Sequence, residues 1–257
     1  MSRSVRRDSS GGERGDDPLD RAVWRLRSRG CWEDAAALLE PCVVQEDAEA
    51  ALRRAALLTE RCMFTADGWV QAESALRTAE AMAGTDEERG AAACERGYLA
   101  YAATVLGVRD RADEARAALG RAAALLPLTS PRRATLDFRR GLVAEHLGDN
   151  PQAAQAAYRR AHAAATAHGD ELLCSFTWRH LAGLELRAGE PAEARRGFAE
   201  SLRLREELGY LVGMAPALVA LADVQPEPDA GRLRAEARRL FRLLGGVPVW
   251  LADQLAP

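Results

Sequence analysis

The stretch Trp178–Ser201, WRHLAGLELRAGEPAEARRGFAES, carries the pattern that decides the fold. Trp178, Leu181 and Ala182 share one helical face, because residues three and four apart stack one above the other. Gly189-Glu190-Pro191 then interrupts the chain, with Gly suited to a helix end and Pro to the opening of the next helix. Ala194, Phe198 and Ser201 follow at offsets of 0, 4 and 7, which again form a single stripe. The small residue at the head of the stripe lets a neighbouring helix approach, and the aromatic ring one turn later fills the remaining gap. The expected unit is a hairpin of two antiparallel helices.

Working outward, the stripe recurs as Ala35, Leu39 and Cys42; Ala72, Leu76 and Ala79; Ala115, Leu119 and Ala122; Ala154, Tyr158 and Ala161; and Ala237, Phe241 and Leu244. The leading Ala positions are 37, 43, 39, 40 and 43 residues apart. Chance A-x-x-x-L matches are common in an Ala-rich chain, but six in order, each preceded by a turn, favour a repeat array over a helical bundle. The expected fold is all-α, a right-handed solenoid of about six antiparallel helical hairpins. Its domains are a disordered polar tail over 1–16, a repeat domain over 17–246, and a segment over 247–257 that caps the last hairpin or docks on a second copy.

These residues resemble the tetratricopeptide repeat (TPR) family, whose pattern pairs W-x-x-L-G on the first helix with A-x-x-x-F-x-x-A on the second. The best match is Trp178, Leu181 and Ala182 with Ala194, Phe198 and Ser201. Pro127 falls at the family's end-of-repeat position, and Gly30 to Ala35 is similar to its glycine, aromatic and alanine turn. The chain departs from the family in a period nearer 40 than about 34, and in first helices whose large-small pattern is clear only in the fifth hairpin. The longer period, with the stretch Ser201–Ala222, resembles the helical arms of large bacterial signalling ATPases and transcription regulators. The resemblance implies a concave groove on the first helices. Its inward positions fall on Leu136, Arg139, Val143 and His146 in the fourth hairpin and on Phe176, Arg179, Gly183, Leu186 and Arg187 in the fifth. Ala100 and Thr104 are the corresponding positions of the third.

Composition narrows the function. The chain has 257 residues, a net charge of −3, and 48% hydrophobic, 28% charged and 5% aromatic residues. All 35 basic residues are Arg, Ile is absent and Asn150 stands alone, the signature of a GC-rich genome for which an actinobacterial source is expected. Without Lys there is no phosphate-binding loop of the GK[ST] type, no pyridoxal Schiff base and no Ser-Lys dyad. The family's peptide clamps, which rely on Lys and Asn on first helices, are also missing, and Arg becomes the candidate anchor. Arg and Asp/Glu are interspersed, so no basic face is expected to bind nucleic acid directly. No run reaches the ~18 apolar residues of a membrane helix, and a cytoplasmic protein is expected.

Chemistry is sparse along the chain. Cys31, Cys42, Cys62, Cys94 and Cys174 are widely spaced and read as free thiols. His146, His162, His168 and His180 form no H-x-x-x-H pair, so neither metal nor cofactor is expected. No nucleophile elbow or dinucleotide loop occurs, and no catalytic residue is assigned. The leading expectation is a non-enzymatic scaffold that binds a protein or peptide, with Arg139, Arg179 and Arg187 holding an acidic or C-terminal segment among apolar groove residues. One alternative is a regulatory or sensor module working with a transcription regulator or signalling protein. Another is a small-molecule binder or biosynthetic enzyme using the concave pocket, which would gather Glu145, His146 and Arg179. A homodimer through Val247–Leu251 is a further possibility.

Overall fold

The structure is a computed structural model that describes residues 17–252. The expected tail over 1–16, and positions 253–257 of the expected C-terminal segment, lie outside the described residues. Twelve helices follow one another, with no strand among the described residues: α1 (Pro18–Arg27), α2 (Trp32–Val44), α3 (Ala48–Thr65), α4 (Trp69–Met82), α5 (Asp86–Val105), α6 (Ala112–Leu125), α7 (Arg132–His146), α8 (Pro151–His168), α9 (Glu171–Arg187), α10 (Pro191–Leu208), α11 (Leu211–Ala222) and α12 (Asp229–Leu244). A 3₁₀ turn, Val249–Leu251, comes last.

Local chemistry sets the helix starts. Asp17, Asp47, Asn150 and Asp170 each accept a backbone N–H of the first turn at 2.9–3.0 Å. Thr85 and Glu88 cap α5 reciprocally. Each such cap contributes about 1 kcal/mol. The solitary Asn is therefore a helix cap. Pro18, Pro151 and Pro191 open α1, α8 and α10, where a missing N–H costs nothing. Helix α10 ends on Gly209 at φ +65°, a left-handed turn that glycine adopts without Cβ strain.

Each helix packs mainly against its sequence neighbours, and α3, α5, α7 and α9 also touch in succession. Six hairpins, α1–α2 through α11–α12, therefore stand side by side, first helices in one layer and second helices in the other. The alanine stripe is the seam. Ala35, Ala72, Ala115, Ala154, Ala194 and Ala237 are all fully buried, and Leu39, Leu76, Leu119, Tyr158, Phe198 and Phe241 fill the space beside them. Trp178 and Leu181 are half-buried against the same core. Close approach is real: a Cβ added to Gly197 of α10 would stand 2.8 Å from the Cβ of Ala182 on α9. Burial of each large apolar side chain contributes about 1.5–3 kcal/mol.

The array curves until its two ends meet. The Trp24 ring of α1 stacks on Tyr210, just before α11, at 5.7 Å. The Val212 N–H donates to the Ser28 carbonyl at 2.8 Å, and the Tyr210 hydroxyl donates to Glu60 of α3, whose carboxylate also pairs with Arg27 at 2.7 Å. Trp250 of the 3₁₀ turn meets Phe64 of α3 edge-on at 6.2 Å, and Leu251 is buried in the core of the last two hairpins. A chain poor in aromatics concentrates them inside this closure. Trp24, Tyr210, Phe176, Phe138, His180, His146, Tyr101 and Tyr98 form a continuous column with successive ring centroids 5.4–6.0 Å apart.

Candidate functional site

The residues expected along an open groove lie on two stripes, and neither stripe faces open solvent along its length. On α7, Leu136, Arg139, Val143 and His146 occupy offsets 0, 3, 7 and 10, and this face is turned to α5. Arg139 pairs with Glu95 at 2.6 Å and lies over the Tyr98 ring at 4.7 Å, while His146 Nδ1 meets the Tyr101 hydroxyl at 2.8 Å. Leu136 and Val143 are core residues, buried between successive first helices, which corrects their expected place on a groove wall. On α9, Phe176 and His180 meet Phe138, and Arg187 meets Glu145, so this face is turned to α7. The physical reason is the curvature. When the first helices converge enough for the array's ends to touch, their inner faces pack on one another.

The stripes emerge at the C-terminal ends of α5, α7 and α9, and there they build a polar cluster around Glu145. Its carboxylate accepts from the Tyr158 hydroxyl at 2.6 Å, contacts His180 Nδ1 at 3.0 Å, and takes the Arg187 guanidinium on its other oxygen. His146 Nε2 stands 3.8 Å from the same carboxylate. Glu145 and Tyr158 are inside, whereas His146 and Arg187 are at the surface. Leu186, 37% exposed, is beside Arg187 in sequence. Ala100 is buried, and the Thr104 hydroxyl is engaged by the Arg111 N–H at 2.8 Å.

The electrostatics of the cluster follow from burial and its partners. Burial opposes ionisation of Glu145, but hydrogen bonds and charge from His180, with Tyr158 and Arg187, outweigh it and hold the carboxyl well below the usual range. Burial, only partly offset by Glu145, pushes His180 down to about 4, so its imidazole is neutral at pH 7. Burial likewise lowers His146. Two carboxylate-neighbouring imidazoles are therefore held uncharged.

Arg179 and Arg205 differ from the other interior arginines. Arg139, Arg96 and Arg111 each hold a carboxylate at 2.5–2.7 Å. Among the described residues, Arg179 makes no such pair: its Nε is sealed from solvent without an acceptor, and its guanidinium lies over the Trp250 ring at 5.4 Å. Burial lowers its pKa, moderated by the charge of Glu145. Arg205 is 2% exposed and, among the described residues, donates only to neutral groups, the Gly213 carbonyl at 2.7 Å and the Ser175 hydroxyl at 3.3 Å. Burial, with repulsion from Arg179, pushes it down to about 9.

Other features stand apart. The five cysteines are free, and burial raises Cys62 to about 12, so it is an inert thiol. A shallow concavity of about 450 Å³ lies at the end of α12, lined by Arg238, Phe241, Arg242 and Val247. Among the described residues, no helix is long and apolar enough to cross a membrane.

No family model and no curated protein matches the sequence. Among solved structures the chain is similar to the crystal structure of a signal transduction ATPase with numerous domains (STAND) protein with a tetratricopeptide repeat sensor from Pyrococcus horikoshii. The TM-score is 0.52 at 15% identity, over 86% of this chain and 35% of that one. The fold is TPR-like. The chain spans about a third of that protein's length, and at this identity the likeness concerns the fold alone. The TPR-like array departs from an open groove in having its ends joined by Trp24, Tyr210 and Trp250.

The sequence singled out His146, Arg179 and Arg187, and weighed Glu145, but assigned no role to Tyr101, Tyr158 as a polar group, or Arg205. Tyr158 carried a packing signal only. Its hydroxyl could not be placed without knowing which residue of α7 its ring crosses.

Proposed function

We propose that this TPR-like chain is a protein-interaction module that takes an acidic segment of another protein at the C-terminal ends of α5, α7 and α9. The observation that carries this reading is Arg179, a partly buried side chain whose Nε is sealed without an acceptor and which pairs with no carboxylate among the described residues. A partly buried charge left unpaired carries a desolvation cost that an approaching opposite charge offsets. Arg187, exposed and in contact with the Glu145 carboxylate, supplies a second fork at the surface. Leu186 offers apolar contact beside it. The segment 247–252 acts as a cap in this reading, since Trp250 shields Arg179 and Leu251 fills the last core cluster.

Affinity capture from the source organism tests it. A specific partner recovered by the full chain is expected to be lost with R187E and R179M and kept with R196E on the outer helix α10. Recovery of the same partner by all three variants would overturn the reading. A second reading, regulation of a signalling ATPase or transcription regulator, draws support from the likeness to a chain whose repeats serve as a sensor. Identifying the captured partner as such a protein, with its activity changed by the module, distinguishes it from a plain scaffold.

A further inference from the structure

We propose that Glu145, His146 and His180 form a binding site for a divalent metal ion of the zinc class. One ligand atom from each of the three lies within 4.8 Å of the others. The Glu145–His180 separation is 3.0 Å and the Glu145–His146 separation 3.8 Å. Metal–ligand bonds of about 2.0–2.2 Å place neighbouring ligand atoms roughly 3–3.5 Å apart. Movement of His146, a surface side chain at the last residue of α7, closes the difference.

The surroundings of His146 and Glu145 have the form of a metal's outer shell. Metal-bound imidazoles usually hold a hydrogen bond at their second nitrogen, which fixes ring orientation. Tyr101 does this for His146 at Nδ1, leaving Nε2 turned to the carboxylate, and Tyr158 orients the carboxylate itself at 2.6 Å. Glu145 and His146 end α7, and the C-terminal turns of α5 and α9 lie alongside, so the partial negative charge of helix ends favours a cation there. Arg187 is the cation now on Glu145. It is 57% exposed on the last residue of α9 and has solvent to move into. Arg179 nearby disfavours ions held by charge alone, such as calcium or magnesium. Two nitrogens and one oxygen instead suit an ion that bonds to imidazole. Three protein ligands leave a fourth position for water or a partner's group. The proposal stands apart from the acidic-partner reading, because the test needs no partner.

The test uses the full chain, freed of metal with a chelator and titrated with cobalt(II), then zinc(II). Visible cobalt absorption that zinc abolishes is expected for the wild type. H146Q and H180Q are expected to lose the band, and Y101F to bind about 10–100-fold more weakly. R187A is expected to bind equally or more tightly. H146Q carries the test if H180Q fails to fold, since His146 is at the surface. Absence of the band in the wild type would overturn the proposal, as would a band undiminished in H146Q or one with the near-ultraviolet signature of cobalt on thiolate.

Discussion

Two glycines on inner helices, Gly141 of α7 and Gly183 of α9, should respond to the same substitution with opposite signs. Replacing Gly with Ala inside a helix gains about 1 kcal/mol from propensity alone. A Cβ on Gly183 meets nothing nearer than Arg187 Nη1 at 3.8 Å, so G183A should keep most of that gain. A Cβ on Gly141 would stand 2.4 Å from Cε1 and 2.6 Å from Cδ1 of Tyr158. That ring cannot move aside easily. It is fully buried, held by its hydroxyl to Glu145, and in contact with Phe138 and His180 at 5.6 and 5.0 Å. Overpacking costs about 1–3 kcal/mol, and two ring carbons inside contact distance put this site at the upper end. The net loss for G141A is about 2 kcal/mol. At about 2–4 °C per kcal/mol for a chain of this size, thermal unfolding by circular dichroism should show G141A lower by about 4–8 °C and G183A higher by up to about 4 °C. A neutral or stabilising G141A, or equal shifts for both, would refute the close packing of α7 on α8.

Other outcomes follow from the same interior. R179M, which removes a partly buried unpaired charge without emptying its space, should raise the unfolding midpoint while abolishing partner capture. A lowered midpoint would show that Arg179 is satisfied in the free chain. L251A should cost about 2–4 kcal/mol if the last turn is a cap, read by denaturant unfolding. Light scattering should find the mass of the wild type unchanged in L251A, and a dimer that dissociates would favour docking instead. His162, with Nδ1 2.8 Å from the Thr177 hydroxyl, has its pKa lowered by burial. A folded pKa below the unfolded value means its contribution is complete above about pH 6.5 and declines as pH falls through the folded value. H162Q should therefore lose less stability than the wild type between about pH 7.5 and about pH 5.5, and parallel losses would contradict this.

The repeat was legible because its signal is local. Ala at the head of a stripe and Leu, Tyr or Phe four residues later report packing within one hairpin, and these two positions are buried in all six stripes, while Cys42 and Leu244 at the tail of the first and last are partly buried. The site was legible only in part. Glu145 and His146 are adjacent, but His180 comes from the next first helix and Tyr101 from the previous one, and no spacing rule spans such separations. Arg139, Leu136 and Val143 share one face of α7 by their offsets, but which way that face turns depends on how tightly six hairpins curve. That curvature is fixed by Trp24 on Tyr210 and by Trp250 on Phe64, contacts between opposite ends of the chain that no local pattern encodes.

The most direct measurement is amide hydrogen exchange of the full chain with and without its captured partner. Binding at the inner helix ends predicts slowed exchange in the last turns of α5, α7 and α9, around Thr104, Glu145 and Leu186, with little change on α10. Protection confined to the outer helices, or to the concavity at Arg238 and Val247, would contradict it.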